Sequence, residues 1–87
     1  MQNDKGVEIN QRFFYALDKL VSEGSLKSAR AFCMENDYLV TNLSRLRKEP
    51  SREFPLHLLE ALVKDYGVSG DWLLTGKGHI IKKSLYM

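Results

Sequence analysis

Apolar residues recur at helical spacing four or five times along the chain and alternate in strand fashion almost nowhere before residue 79. Ile9, Phe13, Leu17, Leu20 and Val21 fall at i, i+4, i+8, i+11 and i+12, one stripe of a helix over about residues 7–23. Gly24 ends it. Ser28 is a favourable N-cap, because its short side chain can accept from the unpaired N–H groups of a first turn. It predicts a second helix from about Ala29 to Asn36 that turns Phe32 and Cys33 inward, followed by a turn at Asn36-Asp37. A third helix, about Val40 to Lys48, has Leu43 and Leu46 at i, i+3 as its apolar edge. Thr41, Asn42, Ser44, Arg45, Arg47 and Lys48 make the rest of its surface rich in hydrogen-bonding groups.

Pro50 stops that helix, and a polar connection from Glu49 to Phe54 leads to Pro55, which suits a first helical turn because its missing N–H costs nothing there. Leu58, Leu59, Leu62, Val63 and Tyr66 supply the stripe of a fourth helix closed by Gly67. Ser69 caps a short fifth helix whose Trp72, Leu73 and Leu74 read as an apolar core cluster, and Gly76 ends it. The pattern therefore predicts an all-α, five-helix domain over residues 7–78 with a short C-terminal extension, 79–87. That extension mixes Ile80, Ile81, Leu85 and Tyr86 with Lys82 and Lys83, a pattern open to a strand, a docked arm, a frayed end or a dimer contact.

Size and charge narrow the functions. At 87 residues the chain holds one core and no second catalytic domain. A domain this small buries only about 60% of its unfolded surface, which makes homodimerisation a natural expectation. The net charge of +2 conceals segregation: residues 1–25 sum to −1, 26–52 to +3, 53–76 to −3 and 77–87 to +3. The middle segment and the tail are thus the candidate anion-facing surfaces. A single cysteine, Cys33, excludes an intramolecular disulfide and suits a reducing cytoplasm, while Ala31, Phe32 and Met34 around it read as packing. No apolar run approaches the roughly 20 residues of a membrane span, and Met1 to Lys5 lack a signal peptide's apolar stretch. Catalysis is not expected: there is no phosphate-binding glycine loop, Gly76-Lys77-Gly78 follows the last helix, and His57 and His79 lack a second ligand at metal spacing. No cofactor, metal or small-molecule substrate is implied.

Two short helices joined by a tight turn, the second with an apolar inner edge and a polar, basic outer face, meet the physical needs of a helix-turn-helix. Here the sequence resembles the lambda-repressor-like, or XRE-type, regulators. The resemblance rests on Ser28 to Lys48, aligning with the helix-turn-helix, and on Tyr66-Gly67-Val68-Ser69-Gly70-Asp71-Trp72-Leu73-Leu74-Thr75-Gly76-Lys77-Gly78, similar to the run that closes the domain in that family. The chain carries Asn36 and Asp37 where the family usually has an apolar residue and a glycine, with Tyr38 available to supply the apolar contact. The resemblance implies a lambda-repressor-like fold and a double-stranded DNA-binding repressor that recognises a near-palindromic operator as a homodimer. It places base-reading residues on Val40, Thr41 and Arg45, with Asn42 and Ser44 adjacent, and phosphate contacts on Ser28, Ala29, Arg30, Lys48 and Arg52. Arg47 and Lys48 are also open to ordinary pairing with Glu49 or nearby acids. The alternative is a helical module that binds a protein partner through an apolar surface such as the tail.

Overall fold

The computed structural model describes residues 4–82. These form five helices: α1 (Asp4–Ser22), α2 (Ala29–Glu35), α3 (Val40–Lys48), α4 (Leu56–Tyr66) and α5 (Gly70–Thr75). The chain is all-α, and the described residues contain no strand beyond one antiparallel bridge between Val68 and Ile81. No described helix is long and apolar enough to cross a membrane.

α1 is the hub. It packs against α2, α3 and α5, and Phe13, Phe14, Ala16, Leu17 and Leu20 along it are buried. Phe13 sits at the centre of an aromatic group, with ring centroids 5.0 Å from Phe14, 5.9 Å from Phe32 and 4.7 Å from Phe54. Phe54 lies in the connection that the sequence pattern reads as polar, yet it packs against the core, its ring beside Phe13 and Phe14 of α1. α1 begins at Asp4 rather than at about residue 7.

The caps follow the local chemistry. The Ser28 hydroxyl accepts from the Ala31 N–H at 3.0 Å, and the Ser69 hydroxyl accepts from the Trp72 N–H at 3.2 Å. Gly67 and Gly76 end α4 and α5 in the left-handed conformation, φ 71° and 80°, which glycine adopts without a Cβ clash. Pro55 precedes α4 as its N-cap rather than entering its first turn. Asn36 caps the C-terminus of α2, donating through Nδ2 to the Phe32 carbonyl. Asp37 then takes φ 55°, the only non-glycine with positive φ among the described residues. Aspartate tolerates this region better than most side chains, so the turn between α2 and α3 closes without glycine.

Two polar clamps join distant parts of the chain to α1. Arg12 donates through Nε to the Leu73 carbonyl (2.7 Å) and through Nη2 to the Leu74 carbonyl (3.1 Å), supplying a cation and donors to the last turn of α5. Asn10, buried to 1% exposure, donates to the Leu46 carbonyl at 3.1 Å. In a continuing helix that carbonyl would accept from residue 50, but Pro50 has no N–H to give. Asn10 replaces the missing donor from another helix.

The tail docks as far as it is described. The Ser69 N–H donates to the Ile80 carbonyl (2.6 Å) and the Lys82 N–H to the Gly67 carbonyl (2.8 Å), so Ile80 and Ile81 pack half-buried on their own domain. Leu85 and Tyr86, the other apolar tail residues, lie outside the described residues. Leu74 is corrected in the other direction: it is 57% exposed, outside the cluster that buries Leu73 and half-buries Trp72.

Candidate functional site

α3 carries the candidate site because its two sides face different surroundings. Leu43 and Leu46 are both 3% exposed and anchor it in the core, while Thr41, Ser44, Arg45 and Lys48 are exposed. Positions 41, 44, 45 and 48 are spaced i, i+3, i+4 and i+7, so these four side chains share one helical face. With Val40 and Glu49 they line one shallow groove. Tyr38, Asn42, Leu46, Ser51, Arg52 and Glu53 line a second groove on the other flank, and Arg45 and Glu49 border both. Arg45 therefore stands on the ridge between two concavities.

Among the described residues, neither Arg45 nor Lys48 takes part in an ion pair, whereas Arg47 does. Arg47 makes two parallel bonds to the Asp18 carboxylate, at 3.0 and 3.1 Å, and its guanidinium lies 4.4 Å from the centroid of the Phe14 ring. The partner of Arg47 is thus Asp18 on α1, not Glu49. Glu49 bonds instead to Arg52 Nε across three residues. Of the five residues matched to base reading, Thr41, Ser44 and Arg45 point out together, Val40 is half-buried against the core, and Asn42 is half-buried on the second flank.

The residues matched to phosphate contacts are more scattered in their availability. Arg30 and Lys48 are exposed; Ala29 is half-buried. Ser28 is half-buried and its oxygen already accepts from Ala31. Arg52 is engaged with Glu49, and Glu53 beside it adds a second negative charge to that flank. The groove of Thr41, Ser44 and Lys48 is consequently the more favourable side for an anion.

Two apolar side chains are exposed here, Met34 late in α2 and Leu39 just before α3. Leu39 lies four residues before Leu43 but outside the helix. It is the N-cap of α3, with extended backbone (φ −79°, ψ 134°), and that break in helical phase leaves it 65% exposed. The Cys33 thiol and Tyr38 phenol behind the turn are both pushed up, chiefly by burial, so neither is primed to ionise at neutral pH. Among the described residues no group of three His, Cys, Asp or Glu side chains converges as a metal site.

No protein-family model matches the chain, and neither a curated protein nor a solved structure is detectably similar to it.

Proposed function

We propose that the chain is a sequence-specific double-stranded DNA-binding repressor with the lambda-repressor-like, XRE-type helix-turn-helix fold, acting as a homodimer on a near-palindromic operator. One observation carries the reading: α3 is anchored by Leu43 and Leu46 and presents Thr41, Ser44, Arg45 and Lys48 on a single exposed face where neither cation is paired with a described residue. A helix laid in a major groove needs this division, with a core-facing edge to fix its angle and an outer face of donors and cations.

Each residue then has a role set by its place on the helix. Arg45, on the ridge, is suited to bidentate donation to guanine O6 and N7. Thr41 and Ser44 reach neighbouring base edges, and exposed Leu39 offers an apolar contact to a thymine methyl. Lys48, one turn further, and Arg30 on α2 serve phosphates. Asn42 flanks the base-reading face, and Arg52 reaches a phosphate only by exchanging its bond to Glu49. Two copies on one face of the duplex would set half-sites about 34 Å apart, one helical turn.

Selection from a randomised duplex pool at moderate and high salt, followed by sequencing, tests this reading. Enrichment of a near-palindrome is the expected result. Retention without enrichment reduces the function to phosphate-driven binding. No retention at either salt overturns the DNA reading in favour of a protein-interaction module.

A further inference from the structure

The basic end of α3 is followed at once by a carboxylate. Glu49 is the C-cap of the helix, after Arg45, Arg47 and Lys48 in its last turn, at the end where the helix dipole favours cations and disfavours an anion. Its backbone is fixed on both sides: the Glu49 N–H donates to the Arg45 carbonyl at 2.8 Å, and the Glu49 carbonyl accepts from the Arg52 N–H at 3.1 Å. The second bond closes a four-residue turn with Pro50 in its second position, where proline's fixed φ suits a β-turn. That turn brings the Arg52 side chain back onto its own first residue, and Nε donates to the Glu49 carboxylate. Arg45, one helical turn before Glu49, is not the carboxylate's partner, and a base placed N-terminal to an acid at that spacing is the weaker orientation. Glu49 thus borders both grooves of the reading helix while bonded to the next arginine along the chain, and Glu53 adds a further negative charge on the same flank.

We infer that Glu49 is a positioning residue that holds Arg52 off the DNA backbone and so limits the phosphate-driven, sequence-independent part of the affinity. This role for Glu49 rests on the proposed DNA reading and adds to it a limit on binding strength. A cation that contacts a phosphate releases a counterion from the duplex, and the salt dependence of binding counts such contacts. While Arg52 is bonded to Glu49 its charge is matched within the turn. To reach a phosphate it must first break a charge-assisted bond and leave a bare carboxylate beside a polyanion. Arg30 and Lys48, in no ion pair with a described residue, face no such exchange. The protein therefore counts those two cations among its phosphate contacts and leaves Arg52 out. Binding to an arbitrary duplex stays weak, and discrimination is left to Thr41, Ser44 and Arg45.

The test is binding of the 87-residue chain to the selected duplex and to a scrambled one, by fluorescence anisotropy at several salt concentrations, for wild type, Glu49→Ala, Arg52→Ala and the double variant. Glu49→Ala should bind both duplexes about tenfold more tightly at moderate salt, with a log–log salt slope steeper by about one, because one further cation reaches a phosphate. A gain in affinity cannot come from a variant that fails to fold. Arg52→Ala alone should leave the slope unchanged, and in its background Glu49→Ala should gain only about twofold, the screened repulsion of an exposed carboxylate. An equal gain in both backgrounds would mean repulsion alone and overturns the inference. So does a Glu49→Ala chain that binds no tighter than wild type, and weaker binding would show that Glu49 aims Arg52 at the backbone instead. The pair is also read without DNA: hydrogen exchange of the Arg52 Nε–H, followed by NMR, should be slowed in wild type and fast in Glu49→Ala. The two readings fail separately. Slowed exchange with no binding of any chain to either duplex removes the DNA reading and this role with it, whereas wild-type binding that Glu49→Ala leaves unchanged removes this role alone.

Discussion

The two flanks of α3 hold basic residues two positions apart with opposite fates. On the α1 side, Arg47 lies over the Phe14 ring and is clamped by Asp18, and the Leu46 carbonyl is held by Asn10. On the outer side, Arg45 borders two open grooves and is in no ion pair with a described residue. Both arginines are exposed, so exposure alone does not distinguish them. Engagement does: one guanidinium fixes the helix to the hub, and the other has its donors available to a ligand. The same helix thus separates holding from reading, and single substitutions should affect one and spare the other.

The largest expected effect on the holding side is Asn10→Ala. It leaves the Leu46 carbonyl without a donor in a buried setting where Pro50 cannot compensate, at a cost of about 1–3 kcal/mol of folding stability by urea unfolding. A cost near zero would mean that water replaces the amide and that α3 is not held there. On the reading side, Arg45→Ala should cost about 1–3 kcal/mol of binding to the selected site and relax preference at one base pair. Its unfolding midpoint should hardly change. If it destabilised the fold as much as Asn10→Ala, the division between flanks would collapse.

Arg47→Ala sharpens the contrast at smaller amplitude. Its ion pair and ring contact are exposed, and together they contribute about 1 kcal/mol of stability, with DNA preference unchanged. Lys48→Ala should weaken binding to all sequences alike and flatten the log–log salt dependence by about one, read by fluorescence anisotropy at several salt concentrations. The smallest effect on DNA binding lies on α4, at Tyr66, whose hydroxyl donates to Glu35. Burial first, then that bond, pushes the phenol up from 10.0 to about 12. A raised pKa means the folded state favours the protonated form. The stability it contributes is complete below pH 10 and is lost as pH rises from about 10 to 12. Tyr66→Phe should remove that alkaline slope from the thermal midpoint while leaving neutral-pH DNA binding intact.

What was legible in the sequence follows the range of the forces involved. Ser28 and Ser69 announce caps because a hydroxyl acts on an N–H three residues away, and Gly67 and Gly76 announce ends because only their own φ matters. Leu43 and Leu46 announce the inner edge of α3 because helical periodicity alone orients them. The face of Thr41, Ser44, Arg45 and Lys48 was legible for the same reason. Phe54 was hidden by its polar neighbours, and Leu74 by its apolar ones.

The sequence by itself determined the five helices, their order, their stops and the inner edges of α2 and α3, while at α5 it placed Leu74 inward where the structure exposes it. These are local properties, fixed by side chains acting within a turn or two of their own backbone. Only the tertiary structure decided which polar groups are engaged and which remain available. Asn10 meets Leu46, Arg12 meets Leu73, Arg47 meets Asp18, and Ile81 meets Val68 across chain separations that no spacing rule encodes. Such pairings depend on how the helices pack around α1, and they leave Arg45 and Lys48 facing outward.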